Sequence, residues 1–437
     1  MKAKYIGLSL AIMGMMASCK TAFNDLENVS AGEADFSKYV AIGNSLTAGF
    51  QDNSLTRQGQ IESYPNMLAQ QFKLANGSDF KQPLLPGNFG WPSAKLVLSY
   101  KTDCTQTVSL GPVINSQIAD TAGSSESVAS ESFNNLGLPG VKLAHITVPG
   151  YGMLNPYAKR ILKSPASQTL FELYVGEAPS FFTLWLGSND VLGYATSGGE
   201  GNVSGMGLND ITNPEMFAML YDSLVTNLVK TGAKGVLINI PNVTSIPFFT
   251  TVPTSTTLTT EQAAALTAAY HANGLTHINF TAGNNNFVIE DANVGARHMT
   301  AGEYLILSMP TDSLKCGGWG TVKPIPKKYV LDKYEVEHVA NAILAYNRTI
   351  SAIAAKHKLA LFDANSFLGT MQTGIVRDGV NYTPTFVSGG AFSLDGVHLT
   401  SRGYAIVTNE LIKVINSFYK STLPYHNINA YSGVKLP

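Results

Sequence analysis

Apolar positions along the chain fall into two kinds of run. Short runs recur at Tyr39–Gly43, Lys142–Val148, Phe181–Gly187, Gly235–Ile240 and Leu359–Phe362, and each reads as a buried strand. Between them, apolar residues at three- and four-residue spacing predict amphipathic helices over Tyr64–Phe72, Pro214–Thr231, Thr260–Asn273, Tyr334–Lys356 and Ser401–Ser417. In the longest of these, Val336, Ala340, Ile343, Leu344 and Ile350 share a stripe expected to face the core. Strands alternating with helices predict an α/β fold, with a parallel sheet covered on both faces in a three-layer α/β/α sandwich. Two segments interrupt the alternation, residues 73–133 and 242–330, rich in Gly, Pro, Ser and Thr. Both are too long to be simple connections and are expected to be insertions. Such insertions either wall a site or decorate the periphery.

The start of the chain follows a different logic. Lys2 and Lys4 precede an apolar stretch, Ile6 to Met16, that is too short to span a bilayer, as in a secretion signal. Met16-Ala17-Ser18-Cys19 resembles the bacterial lipoprotein box, in which cleavage leaves the cysteine as a lipidated N-terminus. The expected organisation is a signal peptide over 1–18, a tether over 19–36, one large domain over 37–420 and a tail over 421–437. Export and attachment to a membrane through Cys19 follow, with the outer membrane of a Gram-negative envelope as the expected location. No later stretch approaches 18 consecutive apolar residues.

Composition narrows the function classes. The chain is 45% hydrophobic and 14% charged, against about 25% charged in an average domain, which excludes intrinsic disorder. The net charge is −1 and no Lys/Arg block exists, so no nucleic-acid partner is expected. Beyond Cys19 stand only Cys104 and Cys316, which form a disulfide or remain free thiols. The eight histidines lack ligand spacing and no CxxC occurs, so no metal or cofactor is expected.

Three segments carry candidate chemistry. Ser45 lies in Gly43-Asn44-Ser45-Leu46, directly after a predicted strand, where open α/β sheets place their ligands. Leu186-Gly187-Ser188-Asn189-Asp190 ends another strand, and the Asn189 amide is a donor suited to an oxyanion. In Asp395-Gly396-Val397-His398, a carboxylate three residues before an imidazole can bind one ring nitrogen and leave the other to face a serine. Each segment alone is ordinary turn chemistry; together they place Ser, Asn, Asp and His at the ends of three separate elements.

These segments resemble blocks I, III and V of the SGNH (GDSL-type) hydrolases. Asn135-Leu136-Gly137-Leu138-Pro139-Gly140 is similar to block II. The resemblance spans residues 38 to about 417 and implies a flavodoxin-like sheet. It also implies a serine esterase or lipase with Ser45 as nucleophile, His398 as general base and acid, and Asp395 as the orienting carboxylate. The oxyanion hole would be the Ser45 N–H, the Gly140 N–H and the Asn189 amide. Gly140 is preferred over its rival Gly150 because an Asn stands five residues earlier. The family's usual Gly-Asp-Ser-Leu is Gly-Asn-Ser-Leu here, which implies a changed network around the nucleophile with the chemistry retained. The implied substrate is a small-molecule, glycan or lipid ester, with short-to-medium acyl esters preferred. A non-catalytic glycan- or lipid-binding lipoprotein and an acyltransferase on the same scaffold are the competing readings. Trp91, Trp319 and His145 are expected to pack, and Asp363 to cap the turn after the last strand.

Overall fold

The computed structural model describes residues 29–116, 119–120 and 124–437. The segment expected to be a signal peptide, with Cys19, lies outside them. Five parallel strands form the central sheet: β1 (Tyr39–Gly43), β2 (Asn135–Gly137), β3 (Phe181–Trp185), β4 (Lys234–Ile238) and β5 (Ala360–Phe362). Their spatial order is β2-β1-β3-β4-β5, the flavodoxin-like arrangement, with Gly43 level with both Gly137 and Trp185. Every residue of β1 and β3 is buried, as strands covered on both faces require.

Seven helices position the site: α1 (Ser45–Ala48), α2 (Tyr64–Leu74), α3 (Asn189–Thr196), α4 (Pro214–Val229), α5 (Lys333–His357), α6 (Ala364–Met371) and α7 (Ser401–Tyr419). An aromatic cluster ties α2 and α7 to the sheet: Phe181 meets Phe72 at 5.5 Å and Tyr419 at 5.6 Å between ring centres. A second joins α4 and α5, where Phe217 stacks on Tyr346 at 4.0 Å. Full burial of each such ring is worth about 1.5–3 kcal/mol. Among the described residues no helix is long and apolar enough to cross a membrane.

Four expectations need correction. Lys142–Val148 is not a strand: Leu143–His145 forms a 3-10 turn, because the N–H groups of Leu143 and Ala144 both turn toward the buried Asp190 carboxylate, 2.7 and 3.2 Å away. The sheet position it would have filled belongs to β2. On α5 the buried face is Val339, Ala342, Ile343, Tyr346, Ile350 and Ile353, so the helix is rotated from the expected stripe and Leu344 is 49% exposed. Residues 29–36 are not free tether. Phe36 stacks on Phe72 at 4.0 Å, and Thr422 N–H donates to Ser30 O at 3.0 Å. The tail is likewise packed, with Leu423 and Ile428 buried and Ser432 O accepting from the Arg402 N–H.

The two insertions meet. The first contains an antiparallel hairpin, Leu96–Thr102 with Val108–Ile114. The second carries its own small cores, one around Ile289, Leu305 and Ile325, another around Tyr270, Phe280 and Val288. A disulfide between Cys104 and Cys316 joins them, beside a Lys315–Asp103 ion pair at 2.6 Å.

Candidate active site

Chain geometry at the sheet's C-terminal edge brings the three candidate segments together. β1 ends at Gly43, and Asn44 caps α1 by accepting the Leu46 N–H on its side-chain oxygen at 3.1 Å. Ser45 is therefore the first residue of α1, and it is only 8% exposed. Gly137, at the end of β2, lies so close to α1 that a Cβ would fall 2.3 Å from the Ala48 nitrogen. Only glycine permits that approach. From the far side of the chain, the loop before α7 brings in Asp395 and His398.

The three side chains form one hydrogen-bonded line. His398 Nε2 lies 2.9 Å from Ser45 Oγ, and His398 Nδ1 lies 2.9 Å from Asp395 Oδ2. Asp395 is further bound by the Val397 and His398 N–H groups at Oδ1 and by the Asn53 N–H at Oδ2, each at 2.8 Å. Burial alone would raise this carboxyl, but the adjacent imidazole and these donors outweigh it and hold the group well below the usual carboxylate range. An ionised carboxylate can only accept, so Nδ1 carries the proton and Nε2 presents its lone pair to the serine hydroxyl. Phe50 covers the imidazole, with ring centres 4.7 Å apart.

A sequence model of the GDSL-like lipase/acylhydrolase family matches residues 39–411. The chain belongs to this family. No curated protein is similar enough to count as a match. The family membership supports a hydrolase; the substrate is a separate question.

The candidate oxyanion donors of this GDSL-family site lie on the turns that follow β2 and β3. Leu138 donates its N–H to Gly43 O at 3.0 Å, which brings the turn at Gly140 beside the end of β1. Gly140 takes a φ of +79°, and among the described residues its N–H has no protein acceptor. Asn189, the first residue of α3, donates one amide N–H to Val141 O at 2.9 Å, next to Gly140 in the chain. An amide carries two such hydrogens, so one is left over. Asp190 fastens the two segments through Leu143, Ala144 and Thr212. Gly150 instead begins a short helix, Tyr151–Leu154, beyond this contact.

An apolar pocket of about 70 Å³ is lined by Leu46, Trp185, Pro241, Phe367, Val397 and Leu399 among others, and by none of Ser45, Asp395 and His398. Leu46 follows Ser45 and Val397 precedes His398, so the pocket walls and the reactive groups share the same turns. The other singled-out residues stand apart from the line. Trp91 packs edge-on against Tyr157, Trp319 lies 5.5 Å from Tyr329, and buried His145 stacks on Tyr151. Asp363 caps α6 by accepting the Ser366 N–H at 3.0 Å. Sequence reasoning missed Asp52 and Asn53, which contact the loop carrying Asp395 and His398 directly. Their only local signal is an Asp-Asn pair, which favours left-handed turns.

Proposed function

We propose that this protein is a serine esterase that hydrolyses short-to-medium acyl esters through an acyl-enzyme on Ser45. The observation that carries the reading is the unbroken line from Ser45 through His398 to Asp395. In the first half-reaction, His398 Nε2 takes the Ser45 proton as Oγ attacks the ester carbonyl. Asp395 holds the imidazole in the right tautomer and stabilises the imidazolium that forms. The carbonyl oxygen becomes an oxyanion, met by the Ser45 N–H, the Gly140 N–H and the spare Asn189 hydrogen. Each such donor typically lowers the barrier by about 3 kcal/mol. His398 then gives its proton to the leaving alcohol. Water, activated by the same nitrogen, attacks the acyl-enzyme and releases the acid.

The pocket beside Leu46 and Val397 suits the acyl group. Its volume of about 70 Å³ is small, which favours a short-to-medium acyl chain over a long one. A series of p-nitrophenyl esters from acetate to palmitate tests this. kcat/KM is expected to peak between four and eight carbons; a maximum at palmitate would contradict the pocket assignment. We further propose that the protein acts in the cell envelope, anchored by a lipid on Cys19. Incorporation of labelled fatty acid, lost in Cys19→Ala, is the corresponding test.

A further inference from the structure

The line Ser45–His398–Asp395 depends on two segments meeting across 350 residues of chain, and one short turn does much of the joining. Residues 51–54 form a two-residue hairpin: Gln51 and Ser54 exchange backbone hydrogen bonds at 3.1 and 3.0 Å, and Asp52 and Asn53 take φ values of +54° and +60°. Asp and Asn are among the residues best able to adopt that geometry. Three of the turn's polar groups face the catalytic loop. Asp52 N–H donates to Ser393 Oγ at 3.0 Å, Asp52 Oδ1 accepts the Leu394 N–H at 3.0 Å, and Asn53 N–H donates to Asp395 Oδ2 at 2.8 Å. Three consecutive residues of the loop, 393 to 395, are thus bound to two of the turn.

The turn is itself braced. Leu96, where the first insertion's hairpin begins, donates its N–H to Asp52 O at 2.8 Å, and Ser54 Oγ donates to Ser93 O at 2.7 Å. On the opposite side of the catalytic loop, the second insertion packs against Gly396: Phe248 N–H donates to Gly396 O at 2.9 Å, and a Cβ on Gly396 would strike Leu307. Resting on the esterase reading above, we propose that Asp52 is a positioning residue for the reaction, fixing the Asp395–His398 loop against Ser45 and lending a second negative charge behind the imidazole.

Charge gives this role a readout that packing alone does not have. Three charged groups face Asp52: Asp395, Lys95 and, when protonated, His398. Burial raises the Asp52 carboxyl to about 6, with Asp395 adding to the rise and the Leu394 N–H opposing it. At neutral pH it is therefore ionised, and it attracts the imidazolium. By reciprocity, removing this charge makes protonating the imidazole less favourable and moves the acid limb of the rate profile to lower pH.

The test is the pH dependence of kcat/KM for p-nitrophenyl butyrate in wild type, Asp52→Asn and Asp52→Ala. Asparagine keeps the acceptor for Leu394 but not the charge; alanine loses both. At pH 8, Asp52→Asn is expected within about threefold of wild type, and Asp52→Ala lower by roughly tenfold or more. The acid limb of Asp52→Asn is expected to move down by about half a pH unit. Asp52→Ala turning over like wild type, or an unmoved acid limb in Asp52→Asn, would overturn the proposal; should Asp52→Ala fail to fold, the limb decides it. A wild-type protein that neither hydrolyses the ester nor takes a fluorophosphonate at Ser45 would refute the esterase reading, and this role with it.

Discussion

Replacing Asp395 by asparagine separates shape from charge at the point on which the relay turns. Asp395 accepts four hydrogen bonds, from the N–H groups of Val397, His398 and Asn53 and from His398 Nδ1. An asparagine offers one oxygen and one NH₂ in the same space, and either orientation fails. With its oxygen toward Val397 and His398 N–H, the NH₂ meets the Asn53 N–H donor and forces the proton onto Nε2, the wrong tautomer for accepting from Ser45. With the orientation reversed, the NH₂ confronts two backbone donors. Each lost charge-assisted bond costs about 1.5–3 kcal/mol, so a stability loss of about 3 kcal/mol or more is expected. The wrong tautomer costs more in rate: an equivalent change in a known serine-protease triad lowers kcat about 10⁴-fold, and a similar collapse is expected here. The assays are ester hydrolysis and urea unfolding at pH 7.5. Because the carboxyl lies well below its ordinary range in the fold, its stabilising contribution is present above the unfolded value of about 3.9 and is lost only as pH falls through the lower folded value. The stability gap between wild type and Asp395→Asn should therefore be no smaller at pH 5 than at pH 8. Activity within tenfold of wild type in a folded Asp395→Asn would refute the relay.

Three further outcomes follow from the same contacts. Asn189→Ala removes one oxyanion donor and the tie to Val141, and kcat should fall about 10²–10³-fold with KM changed far less; steady-state kinetics check this. Asn44→Asp keeps the cap on the Leu46 N–H, so ester hydrolysis should stay within an order of magnitude of wild type. Asp52 has the opposite linkage to Asp395: its folded value of about 6 lies above the unfolded one, so the wild type loses stability as pH rises from about 4 through 6. Asp52→Asn escapes this, and denaturant unfolding should find it about 1–3 kcal/mol more stable relative to wild type at pH 7.5 than at pH 4.

The sheet was legible wherever a strand ran five residues through an apolar interior, as at Tyr39–Gly43 and Phe181–Trp185, because a doubly covered parallel strand leaves a continuous apolar signature. β2, with three residues, is too short for any periodicity to register. The neighbouring run at 142–148 reads as a strand because its side chains are buried. Its backbone conformation is set by Asp190, nearly fifty residues away, which the local pattern does not contain. Similarly, the α5 stripe was misjudged because apolar residues continue onto the face holding Ala340 and Leu344, and only tertiary packing chooses between faces. Within the site, Ser45, Asn189, Asp395 and His398 stood out because their residue types and order match the chemistry proposed for them. Asp52 and Asn53 did not, since their partners lie about 340 residues away and all three bonds are donated by backbone N–H groups, which every sequence possesses.

The central claim is that Ser45 is an activated nucleophile, and intact mass after incubation with a fluorophosphonate tests it most directly, with no knowledge of the natural ester. The account predicts a single adduct on the wild type at pH 8 and none on Ser45→Ala, with both proteins showing the same thermal unfolding. An adduct of equal yield on Ser45→Ala, or none on a folded wild type, would contradict it.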